Sequence, residues 1–201
     1  MRTLPFTLFF CLLTAVVSAQ TITYAGLVGQ YPIQLVVDGY EGQIHQAFYV
    51  YTKFDTPIPL EVHHEADKLV LIERDASDQI TGRLTIAPYS ASATGLKGTW
   101  VSGDGNKKLP IELQRLQQYD AFGANSFKTI PLLQVNSLPD RYFVEVLAKE
   151  GDGYAYVQHL QIYEKKTDKL LQSFELDCVY REFNSVLIGD YNFDGYSDFS
   201  V

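Results

Sequence analysis

Cysteine, tryptophan and methionine are all scarce in this chain, and basic residues are outnumbered. It holds two cysteines, one tryptophan and one methionine in 201 residues. Cys11 lies in an apolar N-terminal run. If that run is removed on export, Cys178 is left alone and no intramolecular disulfide can form. Phe174, Leu176 and Cys178 alternate on one face of an expected strand, which suits a buried, inert thiol. Lysine and arginine number 16 against 24 aspartate and glutamate, a net charge of −8. Such a balance is a poor match for nucleic acid or an anionic lipid surface. Beyond the N-terminus no apolar run reaches the roughly 20 residues that a membrane-spanning helix needs. Helix-forming runs of Ala, Leu, Glu and Lys are rare, and no Gly-x-Ser-x-Gly nucleophile elbow occurs.

The N-terminus itself reads as an address. Arg2 precedes the apolar residues Leu8 to Leu13, and Ala15, Val16, Val17, Ser18 and Ala19 follow. A short positive start, an apolar core and small residues before a cut make a secretory signal peptide over residues 1–19. Phe10 before Cys11 is too bulky for a lipoprotein site. The expected location is therefore periplasmic or extracellular.

Tyrosine and phenylalanine are abundant, at 14 and 12 residues, and turn residues recur about every ten positions, the profile of an all-β protein. The expected fold is an antiparallel β-meander, barrel-like or sandwich-like, over residues 20–118. Its strands fall at 21–27, 31–38, 43–53, 59–64, 68–73, 79–86, 96–101 and 109–116. A Gly/Asn/Ser-containing linker at 119–126 leads to a smaller β-unit at 127–201, with strands at 141–149, 154–164 and 169–179. In Ile33, Leu35 and Val37, and again around Phe48 to Tyr51, one strand face is apolar and the other mixed.

The most informative stretch lies at residues 190–198, which read Asp-Tyr-Asn-Phe-Asp-Gly-Tyr-Ser-Asp. Oxygen-bearing side chains at positions 1, 3, 5 and 9, with glycine at 6, match the spacing of a calcium loop. The expected ligands of Ca²⁺ are the side chains of Asp190, Asn192, Asp194 and Asp198 and the Tyr196 carbonyl. Three adjacent carboxylates repel one another unless a cation lies between them. The loop departs from an EF-hand, because position 12 is Val201 and the flanks, Val186 to Ile188 and Phe199 to Val201, alternate like strands. The expectation is a strand–loop–strand site with a structural ion; the plainer reading is a metal-free Asx turn.

Other chemistry-bearing residues are dispersed. His63 and His64 are followed by Glu65 and Asp67, but neighbours on a strand point to opposite faces and so do not converge on one zinc. Glu145 and Glu150, and Asp75 and Asp78, form no recognisable catalytic pair. Tyr24, Tyr31, Tyr49, Tyr51, Tyr154, Tyr156 and Trp100 can serve either as a sugar-stacking platform or as ordinary sheet packing.

Two resemblances add to this. The first half carries Tyr24-Ala-Gly26, Tyr31-Pro-Ile33, Tyr49-Val-Tyr51, Pro57-Ile-Pro-Leu60 and Gly95-Leu-Lys-Gly-Thr-Trp100. It looks like a β-meander module of secreted bacterial proteins. In the second half, the hairpin over 161–172 and the loop over 190–198 resemble periplasmic lysozyme-inhibitor-like proteins, a group that includes immunity proteins against lysozyme-type effectors. That resemblance implies the same strand–calcium-loop–strand, and inhibition by a loop placed in the hydrolase cleft. In that group further strands follow the loop, whereas this sequence stops at Val201, and no inhibitory-loop motif is matched.

The reading is an exported, non-catalytic β-protein stabilised by Ca²⁺ that binds and inhibits a lysozyme-type peptidoglycan hydrolase. The acidic charge suits a cationic enzyme partner. The alternative is a carbohydrate or cell-envelope binding module that uses surface aromatics.

Overall fold

The computed structural model describes residues 19–52, 56–136 and 138–201. The signal-peptide reading of residues 1–19 lies almost wholly outside them. The described residues are all-β, as expected, and form fourteen strands. Among the described residues no helix is long and apolar enough to cross a membrane.

The first eight strands close into an antiparallel barrel. They are β1 (Ala19–Val28), β2 (Tyr31–Tyr40), β3 (Gln43–Tyr51), β4 (Ile58–Glu65), β5 (Lys68–Arg74), β6 (Ile80–Ile86), β7 (Gly95–Ser102) and β8 (Lys108–Tyr119). Each pairs with its neighbour in sequence, and β8 returns to β1. Closure leaves this sheet without an edge, which removes the usual hazard of unpaired backbone groups.

The period-two pattern of the sequence is what fills the barrel. Alternate residues point inward, so Ile22, Tyr24, Ile33, Leu35, Val37, Tyr49, Leu69, Leu71, Leu84, Ile86, Leu96, Ile111 and Leu113 form one buried core. An eight-stranded barrel has an interior just wide enough for side chains such as these to fill. At the seam, a Cβ on Gly26 would lie 2.1 Å from the Glu112 carbonyl oxygen of β8. Glycine there lets two backbones approach closely. Gly26→Ala should force the seam apart and cost about 1–3 kcal/mol, the usual scale of overpacking, read as a lowered urea midpoint.

A four-stranded antiparallel sheet follows, in the order β12-β11-β10-β9. Its strands are β9 (Phe127–Gln134), β10 (Arg141–Lys149), β11 (Ala155–Glu164) and β12 (Lys169–Val179). The last three fall where the sequence pattern puts them. β9 is additional: Pro131 interrupts its run, and proline is tolerated because β9 is an edge strand.

The barrel and the sheet share a hydrophobic core. Val36 and Phe48 point outward from the barrel and are buried with Leu132, Leu147, Val157, Tyr180 and Phe183 of the second unit. The Phe48 and Phe183 rings are 5.2 Å apart. The mixed face of β2 and β3 is thus a second buried face, over the part of the strands that meets the sheet.

Candidate functional site

The chain ends in a two-stranded hairpin, β13 (Leu187–Gly189) and β14 (Asp198–Ser200). The loop over 190–198 is held between them, since Gly189 pairs with Asp198. The hairpin is pinned to the sheet by aromatic packing. Phe199 lies 6.0 Å from Phe143 and 5.2 Å from Phe174, ring centre to ring centre. Val186 and Ile188 complete this third apolar cluster.

Within the loop the carboxylates organise the backbone. Asp190 accepts hydrogen bonds from the Asp194 and Gly195 amides, each at 3.0 Å. Asp198 accepts from the Tyr191 and Asn192 amides at 3.0 and 3.3 Å. Asn192 Oδ1 accepts from the Asp194 amide, and Asp194 Oδ1 accepts from the Tyr196 amide. Gly195 makes the sharp turn at φ +86°, a conformation that is cheap only for glycine. All five residues singled out in the sequence therefore belong to one curled loop.

Among the described residues, no group of three or more His, Cys, Asp or Glu is gathered tightly enough to hold a metal ion. Each aspartate turns to the loop's own amides. The donor set itself, three carboxylates, one amide oxygen and a main-chain carbonyl, is the hard-oxygen chemistry that suits calcium.

What the loop displays was not legible in its spacing. Phe193 is 90% exposed and Tyr196 is 77% exposed, with Tyr191 half-exposed beside them. Phe193 also adopts φ +61°, which is uncommon for a residue with a side chain. A cavity of about 400 Å³ opens beside the loop, between Tyr196, Phe199 and the start of β10 at Arg141 and Phe143.

The remaining sequence candidates are placed apart from the loop. His63 Nε2 lies 2.7 Å from Glu61, an exposed pair, and His64 Nε2 lies 2.9 Å from the Ile44 carbonyl. The two imidazoles thus serve different neighbours. Tyr24 and Tyr49 are fully buried in the barrel core, and the Tyr49 hydroxyl donates to Glu73 at 2.8 Å. Burial raises both phenols, Tyr49 far more than Tyr24. These tyrosines are packing residues, whereas Tyr154, just before β11, and Tyr156, within it, are exposed. Cys178 is half-buried against the shared core. Burial, and secondarily the Glu145 carboxylate, push its thiol upward, away from the reactive thiolate form.

The burial of one carboxylate, which the sequence offered only as an unpaired acid, was not legible from spacing. Glu145 is fully buried at the centre of β10. Ser185 Oγ donates to its Oε1, while Oε2 has no hydrogen-bond partner among the described residues. Burial raises its pKa to about 7, opposed by the Ser185 bond and reinforced by Glu182. The signal was present in the Arg-Tyr-Phe-Val-Glu-Val-Leu-Ala-Lys run of β10: a lone acid inside an apolar strand.

No family model, curated protein or solved structure matches the chain.

Proposed function

We propose that this is an exported, non-catalytic binding protein whose C-terminal loop is both its calcium site and its contact element. The target class is a cationic lysozyme-type peptidoglycan hydrolase, as the resemblance in the sequence implies. One observation carries the reading: Phe193 and Tyr196 project at 90% and 77% exposure from a hairpin that is itself anchored in an apolar cluster. Aromatic side chains on a rigid base are the usual anchors of protein interfaces. The three aspartates around them, and the net charge of −8, favour approach to a basic surface. The positive φ of Phe193 supports the same reading, since strained residues collect at functional positions.

Calcium would be held by Asp190, Asn192, Asp194 and Asp198 through their side chains and by Tyr196 through its carbonyl. Bound there, the ion neutralises the carboxylates and orders the loop. Saturating Ca²⁺, at about 100 times Kd, should add roughly 2.7 kcal/mol of stability. In a chain of this size that is a rise in Tm of about 5–10 °C. Asp194→Ala should abolish the rise, and an unchanged calcium response in that variant would remove the ion from the loop. Phe193→Ser should leave Tm unaltered and weaken binding to the lysozyme-type hydrolase by tenfold or more, measured by calorimetry. Equal affinity in the variant would assign the contact to another surface.

A further inference from the structure

A second concave surface lies toward the opposite end of β10. Phe143, near the start of the strand, touches the calcium hairpin. Ala148 and Lys149, at its end, line a separate groove of about 510 Å³. The two places are about 17–20 Å apart along the strand, at 3.3 Å per residue.

Three features mark this groove as built. The first is its aromatic wall. Tyr154 and Tyr156 are 67% and 38% exposed. Tyr154, just before β11, and Tyr156, within it, both line the groove. Among the described residues neither ring stacks on another aromatic.

The second is a buried cation at the base. Lys149 is only 2% exposed, and its Nζ donates to the Gly153 carbonyl. Among the described residues no carboxylate pairs with it. An ammonium has three N–H donors, so two remain uncommitted in a place where burying a charge without partners is costly.

The third is the backbone opposite. β9 and β10 slip register here: Leu147 faces Ile130 and Lys149 faces Phe127, so Lys128 and Thr129 together oppose Ala148. That is a β-bulge, a device that re-aims side chains and is enriched beside functional sites. Thr129 holds φ +56°, a true outlier for a β-branched residue. The wall is also pre-formed, because the Gly151 amide donates to Ser126 Oγ at 2.8 Å and ties the β10–β11 turn to the segment before β9.

The charges of the lining decide the ligand class. Lys128 and Lys149 are balanced by Glu150 and Asp177. A balanced set does not suit a polyanion or a polycation. It suits a neutral molecule that presents many hydroxyl donors and acceptors, with flat C–H faces for the tyrosines. We propose that this groove binds a neutral β-1,4-linked oligosaccharide, stacked on Tyr154 and Tyr156 and hydrogen-bonded by Lys149 and the flanking carboxylates. This site is independent of the calcium loop and of any hydrolase partner.

The test uses the full exported chain with two probes, chitotetraose and cellotetraose, in isothermal titration calorimetry. At least one should bind with a Kd in the micromolar to millimolar range. Tyr154→Ala and Tyr156→Ala, both at exposed positions, should each weaken that binding by tenfold or more without moving the thermal melt. Asp194→Ala, in the calcium loop, should leave it intact. Absence of binding by both probes, or affinity unchanged in both tyrosine variants, would overturn the proposal. Binding that survives the tyrosine variants but is lost with Asp194→Ala would overturn it equally, by moving the sugar to the other end of the sheet.

Discussion

Phe48→Ala is expected to cost about 3–5 kcal/mol, the scale for truncating a fully buried phenylalanine, and to uncouple the two halves of the chain. Phe48 is 1% exposed although it points away from the barrel interior. Its burial comes from the second unit, through Phe183 and the cluster around Leu132, Leu147 and Val157. Removing the ring leaves the barrel's own core intact, because Tyr49 and its inward-facing neighbours belong to a different cluster. What weakens is the contact that lets the sheet fold against the barrel. The single tryptophan, Trp100, packs on the barrel core and reports that half by fluorescence, while far-UV circular dichroism reports all strands. In the parent protein the two signals should share one urea midpoint, as two-state unfolding requires. In Phe48→Ala the dichroism should begin to fall first. Coincident midpoints in the variant, or a loss below 1 kcal/mol, would show that the interface contributes little. Phe122→Ala, at an exposed position, is the control and should change stability by less than about 0.5 kcal/mol.

The second large effect is a stability that declines as pH rises through the weakly acidic range. Glu145 titrates near 7 in the folded protein against 4.5 ordinarily. Its folded pKa is raised, so the native state binds the proton more tightly than the unfolded chain. Below about pH 4.5 both states are protonated and no penalty exists. Between about 4.5 and 7 the folded state holds a proton that the unfolded chain releases, and stability falls. Above 7 the carboxylate is ionised in both, and the penalty levels off at about 3 kcal/mol. Asp38, also pushed upward chiefly by burial, acts in the same direction. The environment explains the size: among the described residues Ser185 supplies the one hydrogen bond and Oε2 has none, while Glu182 adds like charge. Glu145→Gln keeps the shape and removes the ionisation. It should be close to the parent at pH 4.5 and more stable by about 2–3 kcal/mol at pH 8. Urea midpoints at the two pH values measure this directly, and parallel pH profiles for the two proteins would refute the assignment.

The strand pattern of this fold was readable from sequence because it depends on local, period-two alternation. Residues such as Ile33, Leu35 and Val37, or Leu69 and Leu71, advertise a face whatever lies opposite. The loop at 190–198 was readable for a similar reason, since spacing along nine residues decides which side chains curl to one side. β9 was hidden because Pro131 and the bulge at Thr129 break the alternation that identifies a strand.

Composition and periodicity by themselves determined the all-β class, the placement of most strands, the acidic charge and the curl of the C-terminal loop, all of which follow from short-range geometry. Only the tertiary structure decided the rest. It closed β8 onto β1, turned the outward face of Val36 and Phe48 into a second core, buried Glu145 beside a single hydroxyl, and lifted Phe193 and Tyr154 into solvent. Those outcomes depend on which distant strand arrives at a given face, and residues far apart in the chain carry no local mark of the neighbour they will meet.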